Sequence, residues 1–388
     1  MRKRQVRIGI DLTGIWRRST GIFRYATEVA KHLVMMQDGM CSEAEDGVTV
    51  RYVLFFAREI HPDFLPYRNR FEAVICPTTN ELLIKQFWFP LSLPRLHLDG
   101  MHYPSFPPPL VSPFGPRTIM TFHDAGPWRY ASALTWHGRV YFRILLTHGV
   151  RRCTRIITVS KHAKSEIAHF LGESLLAKIA VIPEAARPEF ALPCTPEQRE
   201  QVRQSYQLPD SYLLAVATVE PRKNLVTLLD AYKRLKDTMK GQDCPPLVIV
   251  GRKGWNCDDI LGYMAELEQS VIFPGHVSDE DLIALYQMAT GLVFPSLYEG
   301  FGLPVLEAMM AGCPVITSNT SSLPEVAGSA ALLVDPLNAG EIADTMRIVL
   351  QDEARRQRMS SEGREWASTF SWQETARKTR EVYLSALR

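Results

Sequence analysis

The stretch Val293-Phe-Pro-Ser-Leu-Tyr-Glu299-Gly-Phe-Gly302-Leu-Pro304-Val-Leu-Glu307-Ala-Met-Met-Ala-Gly312-Cys-Pro-Val315 reads as strand, loop and helix in one run. Gly291 to Pro295 is a short apolar segment of strand type, and Ser296 to Gly302 forms the loop. Pro304 suits the first helical position, where any residue's N–H would be unpaired. Gly312 then closes the helix as a C′ residue. Glu299 thus sits on the loop at the strand's carboxyl end, and Glu307 lies one turn inside the helix. Between them, the N–H groups of Gly300, Phe301, Gly302 and Leu303 face outward at a positive helix end, which favours anions. Amides for phosphate and two carboxylates for hydroxyl groups suit a sugar nucleotide. Either glutamate alone is also an ordinary solvated residue, and many such turns in α/β proteins bind nothing.

Outside this run, strand-like segments alternate with amphipathic helical ones, the pattern of parallel sheets with helices on both faces. In the first half the strands are Val6–Ile10, Val48–Phe56, Thr118–Phe122, Ile156–Val159 and Ile179–Ile182. Helices fall at about Ile22–Met36, near His137–Cys153 and from Lys161. A second set begins with strand Tyr212–Ala217, helix Asn224–Met239 and strands Leu247–Val250 and Val271–Phe273. Helix Asp279–Met288, the quoted unit, and strands Val315–Thr317 and Ala331–Val334 follow. The expectation is an α/β protein of two Rossmann-like domains, residues 1–188 and 210–370, with a linker at 189–209 and a last helix at 371–388. Two such domains facing one another would place their strand carboxyl ends, where open sheets bind ligands, across a cleft.

A chain of 388 residues exceeds one ordinary core and suits two domains. Its 46% apolar and 22% charged content is that of a globular protein. No apolar run approaches the roughly 20 residues of a membrane helix. The start, Met1-Arg-Lys-Arg-Gln-Val-Arg-Ile-Gly-Ile-Asp11, reads as a first strand and not a signal peptide. Seven cysteines, odd in number and never spaced Cys-x-x-Cys, indicate free thiols in a reducing cytoplasm. The net charge of +2 hides an asymmetry: residues 1–190 hold 25 Lys+Arg against 16 Asp+Glu (+9), and the remainder 19 against 26 (−7). The basic half is either a solvated face or one that meets something anionic, such as a membrane surface or a phosphate-bearing acceptor. Nothing points to a nucleic-acid partner.

Other loops at strand ends carry chemistry. Ala217-Thr-Val-Glu220-Pro-Arg222-Lys223-Asn224 joins a strand to a helix, and its basic pair can neutralise a diphosphate or stay solvated. Thr121-Phe-His123-Asp124-Ala125 puts a histidine beside an acid at a strand's carboxyl end; Asp124 can steer His123, hold a hydroxyl or cap the turn. The first loop holds Gly14, Thr20 and Gly21, where a helix start could meet a phosphate, although the Gly-x-Gly-x-x-Gly fingerprint is absent. Gly275, His276 and Val277 end another strand, and Ser160 is an N-cap or a ligand contact. Asp279-Glu-Asp281 matches a metal-binding pattern, but Ser278 ahead of it is a natural cap and the acids suit the helix dipole. No required metal and no cofactor are expected. The stretch Leu82-Leu-Ile-Lys-Gln-Phe-Trp-Phe-Pro90 could meet a lipid-linked acceptor or be a buried strand or helix.

The quoted run resembles the signature of retaining glycosyltransferase family 4, in which two glutamates separated by seven residues flank Gly-Phe-Gly-Leu-Pro and are followed by Glu-Ala-Met. The resemblance implies the GT-B fold, with the terminal helix crossing back to the first domain, and transfer of a hexose from a nucleoside diphosphate with retention. In that family Glu307 would hold the ribose hydroxyls and Glu299 the transferred sugar. Amides of Phe301 to Leu303 would contact sugar and diphosphate, Lys223 the donor phosphates, and the loop at Gly275–Val277 would lie beside the nucleobase. His123 would sit against the donor sugar near the reacting carbon. The family's upstream Gly-Arg is replaced here by Ala217-Thr218, which leaves its phosphate contact to Arg222 or to a first-domain residue.

The pattern around Thr20 and His123 looks most like mannosyl- and rhamnosyltransferases of bacterial surface polysaccharides, with GDP-mannose the first guess for donor and a saccharide or lipid-linked saccharide for acceptor. Three rival classes compare with this reading. They are a nucleotide-sugar epimerase of the same architecture, a non-catalytic nucleotide-sugar-binding subunit, and an NAD-dependent enzyme, the last disfavoured by the missing fingerprint.

Overall fold

The computed structural model describes residues 4–16, 21–36, 47–105, 108–111, 115–130, 136, 146–239, 244–267 and 270–388. The chain divides into two units, Met1–Glu184 with Ser371–Arg388, and Ala185–Phe370.

In the first unit seven parallel strands form one sheet. They are β1 (Arg4–Asp11), β2 (Val48–Phe56), β3 (Glu72–Ile75), β4 (Gly100–Tyr103), β5 (Arg117–Thr121), β6 (Arg155–Thr158) and β7 (Ile179–Val181), in the order β3-β2-β1-β4-β5-β6-β7. Ile8 of β1 lies opposite Tyr52 on one side and Gly100 on the other. The strand order therefore reverses between β1 and β4, the crevice where doubly wound sheets take ligands. Helix Gly21–Met35 turns Phe23, Ala26, Val29, Ala30 and Leu33 inward, the spacing of a single buried stripe. Helix Trp372–Ala386, capped by Ser371 through the Glu374 N–H at 3.2 Å, belongs to this unit. Its Thr375 hydroxyl donates to the Pro183 carbonyl at 2.8 Å.

Strands β3 and β4 were not visible in the sequence pattern. Gly-Met-His-Tyr has no alternation to read because all four residues of β4 are buried. The stretch around Leu82–Pro90 is helical. It winds as α (Glu81–Leu83), π (Ile84–Trp88), α (Phe89–Ser92) and 3₁₀ (Leu93–Leu96) turns, with Asn80 capping the start. Pro90 would press on the Gln86 carbonyl in a regular α-turn. The chain widens instead, pairing the Phe89 N–H with the Ile84 carbonyl.

The second unit repeats the plan. Strands β8 (Leu213–Val216), β9 (Leu247–Val250), β10 (Val271–Gly275), β11 (Gly291–Phe294), β12 (Val315–Ser318) and β13 (Leu332–Val334) form a parallel sheet ordered β10-β9-β8-β11-β12-β13. Its reversal lies between β8 and β11, so the loops after these two strands flank the ligand crevice. Leu213, Ile249, Val293 and Ile316 of the sheet bury against Leu228, Tyr232, Ile342 and Met346 of helices Leu225–Thr238 and Ala339–Gln351.

Residues 189–209, read as a linker, are instead structured parts of this unit. Helix Pro196–Ser205 opens with a capping box of Thr195 and Gln198. Phe190 meets Tyr286 edge-on at 5.8 Å, and the Gln287 side chain bonds both Leu192 O (2.7 Å) and Cys194 N (2.9 Å). The boundary falls at Glu184/Ala185. Helix Leu303–Ala311 begins one residue before Pro304, with Gly302 as its cap and Gly312 at φ 81° closing it.

Candidate functional site

Beyond β8 the chain makes one 3₁₀ turn, Pro221–Lys223, and passes through Asn224 in the left-handed region (φ 59°) before the next helix. The Asn224 amide donates to Pro295 O (3.0 Å) after β11 and Pro336 O (2.6 Å) after β13. The Arg222 carbonyl accepts from Leu297 N (2.9 Å) and the Ser296 hydroxyl (3.1 Å). These bonds fix the loops at the carboxyl ends of β8 and β11 against one another, and each delivers charged residues to the crevice.

Glu299 stands at the centre. Its carboxylate lies 2.5 Å from Lys223 Nζ and 3.1 Å from Arg222 Nη1, and accepts the Ser296 hydroxyl at 2.6 Å. Arg222 also donates to the Tyr298 carbonyl (3.2 Å), with its Nε 2.5 Å from Glu220. Ser321, itself at φ 57°, accepts the Glu299 N–H at 3.1 Å, and the Ser322 hydroxyl donates to Glu299 O and Phe301 O at 3.0 and 2.6 Å. A strained non-glycine conformation held by such a network is typical of functional loops. Burial alone would raise the Glu299 carboxyl, but the Lys223 and Arg222 cations outweigh it and bring it down to about 2. Burial draws the Lys223 ammonium below the ordinary lysine value, with Glu299 opposing. The cluster is a balanced pair of cations and carboxylates, with Glu299 an ionised, acceptor-only group at neutral pH.

Gly302 sits at φ 120°, and a Cβ there would come 2.8 Å from Leu323 Cδ2. This position therefore needs glycine to turn the loop into the helix. Gly300 and Phe301 lie on this same loop, and the Phe301 ring packs edge-on to Phe370 at 6.2 Å. Glu307 is buried inside helix Leu303–Ala311, and its Oε2 faces the Tyr286 hydroxyl at 3.4 Å. The two glutamates thus have separate surroundings.

Gly275 takes φ 79°, Val277 is buried, and the His276 ring lies 2.9 Å from Arg252. The loop after β9, Gly251-Arg252-Lys253-Gly254, runs beside Ala217–Val219: Val219 N donates to Arg252 O (2.8 Å), and Gly254 N to Val219 O (3.0 Å). Sequence reading missed Arg252 and Lys253, which flank the segment where the upstream Gly-Arg is absent. It also missed Ser321 and Ser322, since serines before a helix look like ordinary caps.

In the first unit His123 is held at both ring nitrogens. Nε2 faces the Pro104 carbonyl at 2.9 Å and Nδ1 the Glu184 carboxylate at 3.2 Å, with Tyr25 edge-on at 4.8 Å. Both partners are acceptors, an arrangement that favours the doubly protonated ring. Burial would lower its pKa, but Glu184 and Pro104 more than reverse this and raise it above 6.5. Glu184 was not singled out in the sequence, because only the folded chain brings it to His123 from 61 residues away. Asp124 caps the following turn through Gly126 N (2.8 Å). Gly14 is a packing glycine: a Cβ there would lie 2.5 Å from Phe23 Cε1. Gly21 opens its helix, and Thr20 lies outside the described residues. Ser160 is an N-cap, accepting Ala163 N at 3.0 Å.

Ser278 likewise caps its helix, accepting Asp281 N at 3.0 Å. Asp279 pairs with Arg187 at 3.0 Å, and Asp281 accepts the Tyr206 hydroxyl at 2.7 Å. Among the described residues no cluster of three or more His, Cys, Asp or Glu could hold a metal, and no helix is long and apolar enough to cross a membrane. The described cysteines are free.

The family model described as "Glycosyl transferases group 1" matches residues 198–366, and that of "Glycosyltransferase Family 4" matches residues 20–190. O-antigen chain mannosyltransferase B of Escherichia coli is 36% identical over 271 residues, 69% of this chain and 70% of that relative. The chain belongs to glycosyltransferase family 4. Among solved structures, sucrose-phosphate synthase from Thermosynechococcus elongatus aligns with a TM-score of 0.74 at 19% identity, covering 98% of each chain. Anabaena Alr3699/HepE in complex with UDP-glucose aligns at 0.72 and 15%, over 98% of this chain and 99% of that one. These likenesses show that this glycosyltransferase has the GT-B fold.

Proposed function

We propose that this glycosyltransferase moves a mannosyl group from a nucleoside diphosphate to a hydroxyl of a saccharide or lipid-linked saccharide, retaining the anomeric configuration. GDP-mannose is the first donor to try, ahead of UDP- and dTDP-sugars. The observation that carries the reading is the Lys223–Glu299–Arg222 cluster at the β8/β11 crevice. The name of the E. coli relative supports mannose.

A carboxyl held down to about 2 is a poor general acid at neutral pH. Glu299 would therefore accept hydrogen bonds from the sugar hydroxyls and not protonate the leaving group. Lys223 would share its ammonium between Glu299 and the departing diphosphate, stabilising the charge that grows there. The amides from Phe301 to Leu303 would take the phosphate and sugar oxygens, and Glu307 the ribose. Arg252 or Lys253 would supply the cation that the missing Gly-Arg does not. His123, hydrogen-bonded at both ring nitrogens, would serve the same reaction. The acceptor hydroxyl attacks on the face from which the diphosphate leaves, and no metal takes part. The basic first unit would bring the enzyme to the cytoplasmic face of a membrane carrying the acceptor.

Incubation with GDP-mannose and a synthetic mannosyl acceptor, followed by NMR of the product anomer, tests this. Turnover of donor without acceptor would indicate an epimerase. Near-normal transfer by both Glu299→Ala and Lys223→Ala would overturn the site assignment. Transfer that stops with EDTA and returns with magnesium would overturn the metal-free reading.

A further inference from the structure

The winding Glu81–Leu96 is apolar on two sides. Inward it buries Ile84, Phe89 and Leu93 against the first sheet's core. Lys85, 3% exposed, also points inward and pairs with Asp11 at the end of β1 (3.0 Å). Outward, at four-residue spacing, it presents Leu83, Phe87 (62% exposed) and Leu91 (68% exposed) to solvent. The Gln86 side chain accepts the Leu110 N–H at 3.0 Å, which brings exposed Val111 to the same segment. A helix side facing water ordinarily carries polar residues at this spacing, and a contiguous apolar patch marks an interaction surface.

The charges select the partner. Residues 82–98 contain no carboxylate, while Arg95 is exposed at the end of the winding, and residues 1–190 carry the +9 excess. At about 1.5 Å per residue the segment is about 24 Å long, short of the roughly 30 Å hydrocarbon core, so it would lie along a bilayer and not across it. We propose that the outer side of Glu81–Leu96 is an interfacial anchor, with Leu83, Phe87, Leu91 and Val111 entering the headgroup region of an anionic bilayer and Arg95 meeting its phosphates. This rests on the reading that the first unit meets a membrane, and it names the surface. The same winding sends Phe87 outward and Lys85 inward. Seating it on lipid therefore fixes Lys85 against Asp11, at the carboxyl end of the strand beside the first sheet's crevice.

The test is co-sedimentation of the full chain with vesicles of phosphatidylcholine alone or mixed equally with phosphatidylglycerol. The wild type should bind the mixed vesicles. Phe87→Ser/Leu91→Ser should bind about tenfold or more weakly, because two side chains no longer leave water. Ile348→Ser, an exposed apolar change on the second unit, should bind as wild type. Transfer to a water-soluble acceptor should be equal in all three, which shows that the double variant is folded. Equal vesicle binding by the double variant would overturn the anchor while leaving the membrane reading intact. A wild type that binds neither vesicle would overturn both, with transfer to the soluble acceptor still judging the enzymatic reading separately. Self-association of the wild type without vesicle binding, lost in the double variant, would make the patch a protein interface and refute the proposal.

Discussion

Replacing Glu299 by Gln keeps the side chain's size and removes the charge that Lys223 and Arg222 share. The folded carboxyl is held at about 2 against an ordinary 4.5, which corresponds to about 3 kcal/mol of stability at pH 7. Because the folded value is the lower one, this contribution is complete above 4.5 and is lost as pH falls through about 2, with roughly half left at pH 3. Glu299→Gln should therefore destabilise the second unit by about 3 kcal/mol at pH 7 and by about half that at pH 3. Lys223→Met should also destabilise it, leaving Glu299 with Arg222 and Ser296. The double variant has no unmatched buried charge at this pair, so its cost should fall short of the sum by about 2 kcal/mol. Amide hydrogen exchange in β8 and β11 under native conditions reads this unit by itself. Additive single effects, or a Glu299→Gln cost that does not shrink towards pH 3, would refute the coupling.

Lys223→Met should lower kcat for mannosyl transfer by about 10²–10³-fold if the ammonium acts on the leaving diphosphate, as read from nucleoside diphosphate release. Glu184→Gln removes the carboxylate that raises the His123 pKa, so NMR titration should move the ring from above 6.5 in the wild type to a lower value. The wild-type pair stabilises fully below 6.5 and loses that contribution as pH rises through the raised value, so the Tm gap between the two proteins should narrow in alkali. Gly251→Ala places a Cβ 1.9 Å from the Ala217 carbonyl oxygen, a backbone clash that no rotamer relieves, and should yield little folded protein. Gly275→Ala meets open space and should cost only about 1 kcal/mol for its positive φ, a ranking that thermal melts of the two variants would check.

The second sheet was nearly all legible. Leu247–Val250 and the helix Asp279–Met288 fall where the apolar runs put them, because each strand is a short Leu/Val/Ile run bounded by turn residues. The first sheet was less so. β4 contains a histidine and a glycine, and only the neighbouring strands and helices make these four residues a buried strand. His102 on that strand bonds Thr121 at 2.8 Å and Tyr383 at 2.7 Å. A buried polar chain of that kind joins positions 281 residues apart and leaves no local periodicity.

The sequence alone determined the family, the two parallel sheets and the segment that carries Glu299, since these follow from local pattern and a continuous motif. Tertiary structure decided what each charge does. It put Lys223 and Arg222 on Glu299 across 76 and 77 residues, and it tied His123 between Glu184 and Pro104. Chain spacing records which residues can turn or alternate. The ionisation and partners of a buried group depend on what the folded chain brings within about 3 Å of it, and the local sequence does not contain that distance.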